Sequence, residues 1–368
     1  VILLLLLGWL VKQFTKLFDI HLPNLSPLLT IFGTIGLILI VLEGALELEL
    51  DKSKVPVIKK SFFVAALPIF GLSFLFAWAF HAIGAVPFRL ALLNAIPLAV
   101  ISSAIAIPSA KNLQKNHREF IIYESSLSDI VGVLFFNFIA TNTQYGVGSY
   151  AHFGFQLLII GVISFVATAG LALLLRKIDH HIKFVPIILL IILIYAVSKA
   201  YHLPGLVFIM IFGLFLGNMD ELKRFNFIRK LAPDLLDREV HKFKDLTIEA
   251  TFVVRALFFL LFGYHIRRAE LLNVNTLLWA GGIVAAIFIV RYILLRLAKL
   301  PSRPLLFIAP RGLITILLFL SIPPESKIPL VNQSLVIQAI ILTALVMMVG
   351  VMAASRGPKA GETPVKEV

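Results

Sequence analysis

The chain has 368 residues, 60% of them hydrophobic and only 14% charged, which excludes a soluble domain and marks a polytopic membrane protein. It contains no cysteine, so disulfides and thiolate metal sites are excluded. The formal net charge of +13 is spread through short connections rather than gathered in a basic patch, so nucleic acid is not an expected partner.

Crossing about 30 Å of hydrocarbon at roughly 1.5 Å per residue takes about twenty apolar residues. On that measure the chain reads as all-α, with twelve membrane runs: 1–11, 29–49, 61–84, 88–109, 119–141, 153–175, 183–200, 204–218, 246–265, 273–296, 304–322 and 330–354. The first begins on Val1 inside an apolar stretch, so a piece is expected to precede it. The charged connection 219–245 reads as a loop or surface helix, and 355–368 as a short polar tail. When the connections are assigned alternately to the two sides, 23 of the 33 Lys and Arg fall on one side and 7 on the other. The positive-inside rule makes the richer side, which carries the C-terminus, cytoplasmic.

Three basic residues remain, and they lie within apolar runs: Arg255, Arg291 and Arg311. The interior of run 119–141 adds two acids, Glu124 and Asp129. A charge at the bilayer centre costs a few kcal/mol even on lenient scales, so such groups call for partners or an ion. At about 100° per residue, Ser125 and Asp129 share a helix face, whereas Glu124 and Asp129 diverge by roughly 140°. One acid can then be permanently paired while the other loads and unloads a cation. Glu43 and Glu47 read as residues of the cytoplasmic helix end. His81, His180 and His181 sit near connections, without metal-like spacing.

Runs 88–109 and 304–322 are interrupted, the first by Asn94, Pro97, Ser102, Ser103 and Pro108, the second by Pro310-Arg311-Gly312. Broken spanning helices are tolerated where they line a cavity or pack on protein, and transporters build ion sites from them. Each interrupted run is fourth in a set of five, the placement expected of an inverted repeat. No enzyme motif of the H-E-x-x-H or G-x-S-x-G kind occurs, and no cofactor is expected.

These residues resemble the monovalent cation/proton antiporter family of the sodium/proton exchanger type. Glu124-Ser125-Ser126-Leu127-Ser128-Asp129 is similar to the family's E-S-L-L-N-D stretch, with Ser128 where Asn or a second Asp is usual. Leu42-Glu43-Gly44-Ala45-Leu46-Glu47-Leu48, Arg255-Ala256-Leu257-Phe258-Phe259-Leu260-Leu261-Phe262-Gly263 and Ala309-Pro310-Arg311-Gly312 resemble three further family motifs, in order along the chain. The resemblance implies a thirteen-helix inverted-repeat fold lacking its first helix here, with runs 88–109 and 304–322 as two crossed broken helices. It implies a moving core at about 61–141 and 273–354 and a dimerisation scaffold at about 1–49 and 183–265. It also implies that Asp129 binds cation and proton in turn, with oxygens from Ser128, Ser102 and Ser103, and that Glu124 pairs with Arg291. Arg255 and Arg311 are expected as cavity or broken-helix charges. The activity implied is exchange of Na+, or of K+ or Li+, for H+ without net charge transfer, by a homodimer in a bacterial-type plasma membrane. A cation channel or passive permease is the alternative.

Overall fold

The computed structural model describes residues 2–19, 23, 25–48, 52–142, 154–155, 158–164, 166, 184–200, 205–218 and 234–355. Among them lie thirteen α-helices and no strand. In chain order they are α1 (Ile2–Leu17), α2 (Ser26–Glu47), α3 (Val55–Gly84), α4 (Phe88–Ala99), α5 (Ser103–Ser109), α6 (Lys115–Thr141), α7 (Phe184–Ala200), α8 (Gly205–Gly217), α9 (Asp234–His265), α10 (Arg268–Leu271), α11 (Val274–Leu297), α12 (Leu313–Ser321) and α13 (Gln333–Ser355). Most of run 153–175, together with His180, His181 and all of the tail but Ser355, lies outside the described residues.

Among the described residues, six stretches are long and apolar enough to cross a membrane unaided: Pro27–Glu47, Val55–Gly84, Phe88–Ser109, Val240–His265, Val274–Leu297 and Gln333–Ala354. α6 has the length, but Glu124, Asp129 and its three serines dilute its apolar character. Several helices extend past their apolar runs. α3 starts at Val55 with Pro56 in its first turn, where a missing N–H costs nothing, and α9 reaches back to Asp234 through the charged connection.

Packing divides the helices into two groups. α3, α4, α5 and α6 pack on one another, and α11 joins them through α3 and α13. α2 packs on α8 and α9, α1 on α9, and α7 on α8. In the second group Gly8 and Gly263 bring α1 and α9 into backbone contact, since a side-chain carbon on either would collide with the other helix. The groups meet along narrower contacts of α6 with α2 and α8, and of α12 with α2.

Both interrupted runs are unwound. α4 ends at Ala99, residues 100–102 are extended, and α5 starts at Ser103. A single 3₁₀ turn, Leu305–Phe307, precedes extended chain that α12 picks up at Leu313. Pro310 explains part of the second break, because the residue before a proline is pushed out of the α region. The two extended pieces cross: the Ser102 N–H donates to the Pro310 carbonyl at 2.9 Å. Gly312 makes this contact possible, since a Cβ there would stand 2.5 Å from Ile105 Cδ1 and 2.9 Å from Ser102 Oγ.

Candidate ion site at the crossing

Unwinding strands carbonyls at the C-terminal end of α4, and Arg311 answers them. Only 1% exposed, it donates from Nε to Leu98 O (2.8 Å), from Nη2 to Ala99 O (2.9 Å) and from Nη1 to Ala309 O (3.0 Å). A cation at the negative end of a helix is electrostatically favoured, and each charge-assisted bond replaces the water those carbonyls lack. The backbone N–H of Arg311 donates to Thr343 Oγ1 of α13 at 3.0 Å. Arg311 is therefore a strut of the crossing and is turned toward backbone. Asn94, in the middle of α4, ties that helix to the turn at Pro324–Ser326, donating to Ser326 O at 2.8 Å.

The two acids of α6 face different neighbours. Glu124 meets Arg291 of α11 in a fork, the second bond of which, Nη2 to Oε2, is 2.9 Å long. Arg291 Nε also donates to Leu305 O at 2.9 Å, so this pair ties α6, α11 and the turn before the second break together. Both side chains are buried.

Asp129 is 4% exposed and looks at the start of α5, where Ser103 Oγ donates to its Oδ2 in a short bond. Its Oδ1 is buried with no hydrogen-bond partner among the described residues. The Ser102 hydroxyl is likewise buried without a partner there. Ser128 is turned elsewhere: its Oγ accepts from the Ile101 N–H at 2.9 Å, which pins the extended segment to α6 and leaves one lone pair uncommitted.

Ser103 also lines a small cavity of about 40 Å³ with Glu43, Gly44, Glu47, Ala104, Ile107, Pro108 and Arg255. That is room for a water or a partly dehydrated ion. Glu43 lies one turn from the C-terminal end of α2. It is paired with Arg255 of α9, Nη2 to Oε2 at 2.7 Å, while Arg255 Nη1 donates to Ala104 O at 3.1 Å. A signal for this pair was available in the sequence. Arg255 lies within run 246–265 and Glu43 within run 29–49, and a charge in an apolar run calls for a partner.

The family described as sodium/hydrogen exchanger, transmembrane, matches residues 1–355. Two solved structures of a sodium proton antiporter from Methanocaldococcus jannaschii share the fold. The structure at pH 8 superposes with a TM-score of 0.65 at 18% identity, covering 96% of each chain. The one from an electron-microscopy map gives 0.59 at 18% identity, covering 96% of this chain and 94% of that one. The search of curated proteins returns no match.

Proposed function

Because the chain belongs to the sodium/hydrogen exchanger family, we propose that it exchanges a monovalent cation for protons across a membrane, with Asp129 as the group that binds either one. One observation carries the reading: a carboxylate buried mid-helix has one oxygen held by Ser103 and the other without a partner. A buried charge left half satisfied is costly unless a ligand completes it. A proton or a small hard cation would do so, and oxygen donors suit the latter.

Each step follows from this chain's own groups. Ionised Asp129 accepts a hydrogen bond from the Ser103 hydroxyl. When a cation arrives the same hydroxyl can rotate and offer a lone pair, with Ser102 Oγ and the second lone pair of Ser128 as further oxygens. A protonated carboxyl has no charge to offer, so the two ligands exclude each other and their fluxes are coupled. Ser128 replaces what would be a second acid, so one proton per cation with no net charge moved is the stoichiometry that fits. Sodium is the first candidate, with potassium and lithium as alternatives.

Alternating exposure would come from the group holding α3–α6 and α11–α13 sliding against α1, α2 and α7–α9, which meet it through narrow contacts. The latter group, running over about 1–49 and 183–265, would carry the homodimer contact. The basic connections favour a cytoplasmic C-terminus, and a plasma membrane of bacterial type is the expected location.

Proteoliposomes holding a pH-sensitive dye test this. Adding sodium, potassium or lithium chloride in turn should dequench the dye for at least one ion. The apparent KM for that ion should rise as pH falls while the maximal rate holds. A KM indifferent to pH would remove the competition mechanism. Flux that follows membrane potential without moving protons would mean a channel.

A further inference from the structure

The pairing of Glu43 with Arg255 sits one residue from the proposed site, since Ala104, which Arg255 holds, follows Ser103, which holds Asp129. Both Arg255 and Glu43 are within electrostatic reach of Asp129. The lining of the small cavity offers a hard cation the carboxylate oxygens of Glu43 and Glu47, the Ser103 hydroxyl and the Ala104 carbonyl. A hard cation seeks several such oxygens at once. The guanidinium takes two of these groups, Glu43 and Ala104, and carries the same charge as the substrate. Its Nε is buried with no partner among the described residues, so Arg255 is less completely tied than Arg291 or Arg311. The remaining acid, Glu47 of α2, has Lys244 of α9, Arg255 itself and Arg118 of α6 nearby as compensating charges.

Resting on the reading of Asp129 given above, we propose that Arg255 is a tethered counter-cation that neutralises Glu43 and covers the Ala104 carbonyl, thereby weakening cation binding at Asp129. It is a positioning residue that sets affinity without touching the transported ion. Its physical effect is twofold. Paired with Arg255, Glu43 adds no net charge, so the cavity attracts a cation through Asp129 with little help from a second carboxylate. The bond from Arg255 on α9 to Ala104 on α5 also links the two helix groups.

A double-substitution cycle in proteoliposomes, with sodium chloride as the probe and both KM and maximal rate measured, tests the proposal. Arg255→Gln should lower the KM on the order of tenfold, the usual size of coupling between touching charged groups, because Glu43 is left negative beside the ion. Glu43→Gln should raise the KM by a similar factor, because Arg255 is left positive. Arg255→Gln with Glu43→Gln should return the KM to within about threefold of the unmodified protein, a restoration that mere structural damage would not produce. A KM in Arg255→Gln equal to or above that of the unmodified protein overturns the proposal, as does a double variant whose KM stays more than about threefold away from that of the unmodified protein. If Arg255→Gln fails to accumulate in the membrane, Glu43→Gln decides: an unchanged KM overturns the proposal, and a raised one that the double variant reverses supports it. Loss of exchange in Asp129→Asn alongside an unmoved KM in Arg255→Gln would remove this inference and leave the exchange reading standing. Absence of exchange by the unmodified protein with sodium, potassium and lithium would remove both.

Discussion

Along α6, Glu124 and Asp129 are the same kind of group five residues apart, yet their surroundings are opposite. Glu124 is closed: a two-bond fork to Arg291, side chains 2% and 3% exposed, and a backbone carbonyl for the remaining arginine nitrogen. Asp129 is open-ended: a single hydroxyl on one oxygen, and nothing described on the other. The Glu43–Arg255 pair lies between these extremes, with side chains 15% and 14% exposed beside a cavity and a single short contact. Complete pairing makes a charge structural, because any change then costs desolvation without return. Incomplete pairing keeps a charge responsive, because a ligand can supply what is missing.

The widest contrast is expected from Asp129→Asn. Exchange should fall to the background of empty liposomes, while the protein folds with a stability change within about 1 kcal/mol. Retained exchange would erase the distinction between the two faces. Next come Glu124→Ala and Arg291→Ala, each expected to cost about 3 to 5 kcal/mol by leaving a buried partner charged and alone. Thermal melting in detergent, with membrane yield, reads this out. The pair Glu124→Gln with Arg291→Met should recover part of the loss, and if it does not, the fork is more than a clamp. Smaller again is Ser103→Ala, which removes the side-chain donor on Asp129. A KM for sodium raised by roughly tenfold is expected, as for one charge-assisted bond, with little change in melting. Ser128→Ala should be slightest: about 1 kcal/mol of stability for the lost bond to Ile101 N–H, and a KM shift smaller than that of Ser103→Ala. The reverse order between these two serines would place the ion nearer the extended segment than the start of α5.

Much of the fold is legible before any coordinates. The apolar runs predict helices, and the two runs carrying Pro, Gly and polar residues predict interruptions, because helix formation and membrane burial depend on composition within a few turns. The place of unwinding is not legible. Pro97 lies inside α4, which continues to Ala99, and the chain opens at 100–102, where the crossing strand supplies the Pro310 carbonyl and Arg311 caps the stranded end. Asn94, which reads as an interruption, anchors α4 to Ser326 instead.

By itself the sequence determined that this protein is helical and membrane-embedded, that buried charges on α6 point apart, and that arginines in apolar runs need company. These follow from hydrophobicity, helical periodicity and the cost of burying charge, all of which act locally. Hydrophobicity and periodicity did not say which arginine meets which acid: Glu124 with Arg291 came only through the family resemblance, and Glu43 with Arg255 only through the tertiary structure. The partners are 167 residues apart for Glu124 and Arg291 and 212 apart for Glu43 and Arg255, and an ion pair has no sequence period, only a distance.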